Sequence, residues 1–131
     1  MALQSPSMDE WLKEAKADPS AKEVGMYLVH NGTVREDPKK LVREGIDDGK
    51  KVNGMFFDYD EAGLKKAIDE AYHYPGVKYL RVWLNRGELK LGDDIMYVLV
   101  GGDIRPNVID ALQKLVEVIK TQLVVENEQY K

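Results

Sequence analysis

Residues 92–125 constrain the fold of this chain more than any other stretch. Asp94 to Val100 is a short apolar run rich in Ile, Tyr, Val and Leu, the signature of a buried strand. Gly101-Gly102 ends it, and Pro106 suits the first turn of a helix, where the missing N–H costs nothing. Asp103 stands where a residue capping that helix is expected. Val108, Leu112, Leu115, Val116, Ile119 and Leu123 then recur on one helical face. A core strand therefore turns into a long helix that covers a sheet. Arg105 falls at the turn, near the positive end of the helix. Lys120 lies about 80° round from Leu112, on the rim of the apolar stripe. A lysine so placed sheds part of its hydration, which suits it to chemistry.

The rest of the chain supplies partners for this unit. Ser7 and Glu10 fit a capping box for a short helix with Trp11, Leu12 and Ala15 inward, stopped by Asp18-Pro19-Ser20. Val24 to Val29 reads as a strand, and Gly32 just beyond it as a bulge or a close backbone approach. Val52 to Tyr59 is a second strand, with Met55, Phe57 and Tyr59 on one face. Asp60 caps a helix from Glu61 to Tyr72. Lys78 to Leu84 alternates cleanly, and Gly87-Glu88-Leu89 and Leu91-Gly92-Asp93 read as turns. Strands outnumber helices, so the expected class is α+β, a mixed or antiparallel sheet with packed helices. A single domain spanning 1–131 is expected, with residues 1–6 a loose leader, 36–50 a mobile loop carrying one helical turn, and 126–131 a loose tail.

Composition narrows the function. Net charge is −4, which argues against nucleic acid or an anionic membrane as the main partner. There is no cysteine, so thiolate metal sites and a cysteine nucleophile are excluded, and any sulfur chemistry needs sulfur from outside. His30 and His73 are the only histidines and have no ligand-like spacing; each reads as a surface or half-buried side chain, and neither a metal nor a cofactor is expected. No serine-hydrolase elbow or phosphate-loop fingerprint occurs. No run of 18 apolar residues and no signal pattern is present, so a cytoplasmic location is expected. Arg35, Arg105 and Lys120 are each ordinary surface cations when taken singly. Together they form a set that can line an anion pocket.

Three blocks carry a resemblance to the large, catalytic subunit of molybdopterin synthase. They are Val24 to Arg35, ending in G-x-V-R; Gly87 to Asp94, a G-x-L-x-x-G-[DE] turn; and Ile104-Arg105 with the helix to Lys120-Thr121. The resemblance implies an α/β hammerhead fold and a central homodimer. It also implies a ubiquitin-like small subunit whose C-terminal Gly-Gly thiocarboxylate supplies sulfur to cyclic pyranopterin monophosphate, as part of molybdenum cofactor biosynthesis. By matching positions, Arg35 and Arg105 bind the substrate's anionic groups and Lys120 is the catalytic lysine. The chain departs from the family where Ile104 replaces a histidine, where Leu84 and Asn85 replace a histidine-arginine pair, and where Asn127 replaces a second lysine. These departures carry the alternative reading, a non-catalytic dimeric paralogue that binds a phosphorylated ligand or a ubiquitin-like tail. Arg105 and Lys120 are about 22 Å apart along one continuous helix, so a pocket using both is expected to draw them from two subunits.

Overall fold

The computed structural model describes residues 4–47 and 49–130. The expectations for residues 1–3 of the leader, for Asp48 in the loop and for Lys131 in the tail lie outside the described residues. In chain order the elements are α1 (Met8–Ala17), a short 3-10 turn (Pro19–Glu23), β1 (Met26–Thr33), α2 (Lys39–Glu44) and β2 (Val52–Tyr59). They continue with α3 (Glu61–Ala71), β3 (Val77–Leu84), β4 (Gly87–Lys90), β5 (Asp94–Gly102), α4 (Arg105–Val118), a π-helical turn (Ile119–Leu123) and β6 (Val124–Tyr130). No helix among the described residues is long and apolar enough to cross a membrane.

The strands form two three-stranded sheets, ordered β1-β5-β3 and β4-β2-β6. Every pairing is antiparallel, which resolves the choice left open by the sequence. Strand β5 is apolar along its length because it is the middle strand of its sheet and is buried on both faces. Met96, Val98 and Val100 enter the main core with Val108, Ala111, Leu115 and Ile119 of α4. Leu99 faces the other way, against Trp11 and Ala15 of α1, with Tyr27, Trp83 and Tyr97 packed around them. The Ser7 hydroxyl accepts from the Glu10 N–H, and the Asp60 carboxylate from the Gly63 N–H, so both expected caps form. The bulge expected at Gly32 is present as a register shift between Gly32 and Thr33.

The structure corrects four expectations. The tail is not loose from Glu126 onward: β6 runs to Tyr130 and pairs with β2 along its length. Backbone hydrogen bonds hold a polar segment there, and its composition gives no sign of them. Gly87 to Lys90 is an edge strand on β2 rather than a turn. The helix after Pro106 does not stay α-helical to Leu123, but ends at Val118 and widens into the π-helical turn. Asp103 makes no cap for α4; its carboxylate accepts from the Ile104 N–H and from the Asn107 side-chain amide.

Candidate active site

Where the two sheets meet, a cavity of about 310 Å³ opens between β1 and β5 on one side and β2 and β6 on the other. Met55, Ile95 and Met96 give it an apolar floor, and Arg35, Lys39, Lys120, Glu126 and Glu128 give it charge. Gly32 leaves the space open. A Cβ at Gly32 would lie 3.4 Å from Met96 Cγ and 3.7 Å from His30 Nε2, so any side chain there fills part of the cavity.

Each cation is delivered by a specific piece of backbone. After the bulge, Val34 is buried and locked to the turn before β5. Its N–H donates to Asp93 O (3.0 Å), and the Gly92 N–H donates to Val34 O (2.9 Å). Gly92 has φ +85°, which a side-chain-bearing residue rarely adopts, so the glycine in that turn fixes where the next residue, Arg35, leaves the sheet. Lys120 sits in the π-helical turn. A π turn inserts one extra residue into the helical ladder and re-aims the side chains within it, a feature frequent at functional sites. Thr121 Oγ1 donates to Glu117 O (2.7 Å) and steadies that turn.

Four further residues line the same cavity and were not expected there. Lys39 of α2 pairs its ammonium with the Glu126 carboxylate, whose side chain is only 6% exposed. The Lys39 backbone N–H donates to Glu128 Oε2 (3.1 Å). Strand alternation points Glu126 and Glu128 inward, while Asn127 between them is exposed. His30 is half-buried, one of the two states expected of it, and its Nε2 is buried without a hydrogen-bond partner among the described residues. Burial first, and then the charge of Lys120, lowers its pKa, so the imidazole is neutral around neutral pH. One sequence signal bears on His30: it shares a strand face with Leu28, which packs against the core. Nothing local marks Lys39, Glu126 or Glu128.

The three cations singled out from sequence divide two to one. Arg35 and Lys120 line the cavity together despite their separation in the chain. Arg105 does not line it. It is exposed at the first residue of α4, at the opposite end of that helix from Lys120. Outside the cavity, His30 also borders a shallow groove along α4 with Leu112, Gln113, Val116 and Glu117.

The fold is that of known enzyme subunits. Molybdopterin synthase from Staphylococcus aureus superposes with a TM-score of 0.74 at 21% identity, covering 98% of this chain and 89% of that one. The MoaE protein of Burkholderia ambifaria gives 0.70 at 18%, covering 97% and 83%. A chain of the complex of subunits 1 and 2 of the molybdopterin-converting factor from Helicobacter pylori gives 0.66 at 23%, covering 95% and 79%. At these identities the likeness establishes the fold alone. No curated protein sequence matches the chain significantly. The family model for the MoaE protein matches residues 4–122, which takes in β1 with its bulge, the turn that fixes Arg35, and α4 with the π turn that carries Lys120. By that match the chain belongs to the MoaE protein family.

Proposed function

We propose that this chain is the large subunit of a molybdopterin synthase. It transfers sulfur from the C-terminal thiocarboxylate of a small ubiquitin-like partner to cyclic pyranopterin monophosphate. The observation that carries the reading is the meeting of Arg35 and Lys120 in one cavity with an apolar floor, in a chain matched to the MoaE family. Arg35 binds the phosphate, for which a guanidinium fork is suited. Lys120 provides a compact positive charge beside the reacting centre and stabilises the anionic thiocarboxylate as it approaches. His30, neutral and with its Nε2 unpartnered among the described residues, adds a hydrogen-bonding group without a second charge. The absence of cysteine agrees with a chain that takes its sulfur from a partner. The working unit is a homodimer, in which Arg105 of one subunit completes the pocket of the other.

The test is incubation with a thiocarboxylated Gly-Gly partner and the cyclic pterin, followed by assay for the dithiolene product. Product from the wild type, with loss of about 10²-fold or more in Lys120→Ala at unchanged fold, supports the reading. Binding of the partner or pterin without product favours a dimeric paralogue that kept the fold and lost the reaction. That second reading draws on Ile104, which is 57% exposed at the entry to α4. Neither binding nor product rejects both.

A further inference from the structure

Lys120 reaches the cavity from a turn whose two ends are held by different elements. At one end Ile119 is fully buried in the main core. At the other, the Asp60 N–H donates to Leu123 O (2.9 Å), and Tyr59 pairs with Val124 as β6 begins. Only Lys120, Thr121 and Gln122 lie between these anchors. A helical segment tied at both ends does not choose its own pitch. The anchors decide whether it runs as an α-helical turn or widens into a π-helical one, and the widening re-aims the side chains within it.

The anchor on α3 depends on a side chain that is missing. Gly63 stands in the first turn of α3, where its N–H donates to Asp60 Oδ1 (3.1 Å). Its φ is not positive, so the backbone does not call for glycine there, and alanine is the better helix former. What calls for glycine is space. A Cβ at Gly63 would lie 2.6 Å from Leu123 Cδ2 and 2.6 Å from Asp60 Oδ2. Leu123 therefore occupies the room that a side chain at Gly63 would need, and the capping carboxylate closes the other side.

We infer that Gly63 is a positioning residue for Lys120, acting through the seat it leaves for Leu123. None of the described residues of α3 lines the cavity, yet α3 sets the direction of the lysine that does. The inference concerns how Lys120 is aimed and holds whatever the cavity binds, so it stands apart from the synthase reading.

The imidazole of His30 reports where the Lys120 ammonium lies. His30 shares the cavity with Arg35, Lys39, Lys120, Glu126 and Glu128 and borders Glu117 in the groove along α4. Of these charges, that of Lys120 adds to burial in lowering its pKa. The test is the NMR titration of the His30 ring in the full-length protein, with His73→Gln to assign the two imidazoles. Lys120→Gln sets the full upward shift of the His30 midpoint. Gly63→Ala displaces Leu123 from its seat, and Leu123→Ala empties it. Each should raise the midpoint by at least about a third of that full shift, because the ammonium moves away. In the Lys120→Gln background neither should move it further. Ala62→Gly weakens the same helical turn at an exposed position and should leave the midpoint at its wild-type value. Either seat variant that keeps the wild-type amide spectrum suffices. An unchanged midpoint in the folded seat variants, a shift that persists with Lys120→Gln, or an equal shift in Ala62→Gly would overturn the inference. Sulfur transfer with an unmoved His30 counts against the seat alone, and a moved His30 without sulfur transfer counts against the synthase reading alone.

Discussion

The Lys39 ammonium of α2 is paired with the Glu126 carboxylate of β6, tying a helix of only six residues to the last strand of the chain. The exposure of the pair is uneven: 40% of the lysine side chain reaches solvent but only 6% of the glutamate does. Such a pair matters most when half of it is removed, because the remaining buried carboxylate loses its compensation. Lys39→Ala is expected to destabilise the protein by about 1–3 kcal/mol, and Lys39→Ala with Glu126→Gln to recover most of that loss. Urea unfolding of the two single variants and the double variant checks this. A double variant as unstable as the sum of the singles contradicts it.

Arg86 holds the junction of β2, α3 and β3 in a different way. Its guanidinium donates to Asp58 Oδ1 (2.6 Å), Glu61 Oε1 (3.0 Å) and Tyr59 O (3.2 Å), and lies over the Tyr59 ring. The hydrogen bond from Arg86 lowers the Asp58 pKa below its ordinary 3.8. A depressed carboxylate gives stability that is present above its unfolded pKa and lost as pH falls through the folded one. Arg86→Ala removes the cause of that depression. Its unfolding in acid should show a smaller contribution from Asp58, with a melting temperature below wild type at neutral pH and a gap that narrows below pH 3.8. Melting curves across that range, with a gap that stays constant, would disprove it.

Much of the fold is legible in the sequence, because local pattern and burial agree there. The run from Asp94 to Val100 and the spacing of Val108, Leu115 and Ile119 describe a central strand and the helix over it, and these helix positions are buried as that pattern requires. The helix end is hidden for the same reason: Ile119 and Leu123 continue the apolar stripe, so nothing in the spacing distinguishes a π-helical turn from another α-helical one. Strands β4 and β6 are held by the two edges of β2. Their stability lies in a partner far away in sequence, which polar composition does not reveal. The site divides along the same line. Arg35 and Lys120 stand beside readable features, a glycine bulge and an apolar stripe. Lys39 and Glu126 meet only because the fold brings the first residue of α2 beside β6, and no local spacing encodes that.

His30 gives a stability term in a separate pH window. Its pKa lies below the ordinary 6.5, mainly through burial and further through the charge of Lys120. The unfolded chain then binds the proton more readily than the folded one. The stability tied to the neutral imidazole is full above 6.5 and declines as pH falls from there through the folded pKa. This window lies above the one in which Asp18, Asp58 and Asp103 contribute, since all three are depressed from 3.8. Replacing His30→Gln should flatten the melting temperature between about pH 7 and pH 5 while leaving the fall at lower pH in place. An equally steep decline in that variant would mean that another group titrates there.

Arg105 and Lys120 provide the most demanding prediction, because a single subunit places Arg105 at the start of α4 and Lys120 in the π-helical turn beyond its end, and only Lys120 lines the cavity. Helical rise separates their backbones by about 20 Å, more than two extended side chains and a compact phosphate ligand comfortably bridge. If both serve one substrate, a two-fold axis must bring Arg105 of one subunit to Lys120 of the other, since a symmetric interface pairs unlike positions twice. Arg105→Ala and Lys120→Ala homodimers should each lose activity. Mixed and re-assorted, each heterodimer carries both lesions in one pocket and leaves the other pocket intact, so activity should return to about half of wild type per heterodimer. Heterodimers verified by differential tagging that stay inactive would assign both residues to the same subunit's pocket. A bend before Val108 would then have to carry Arg105 toward the cavity when substrate binds.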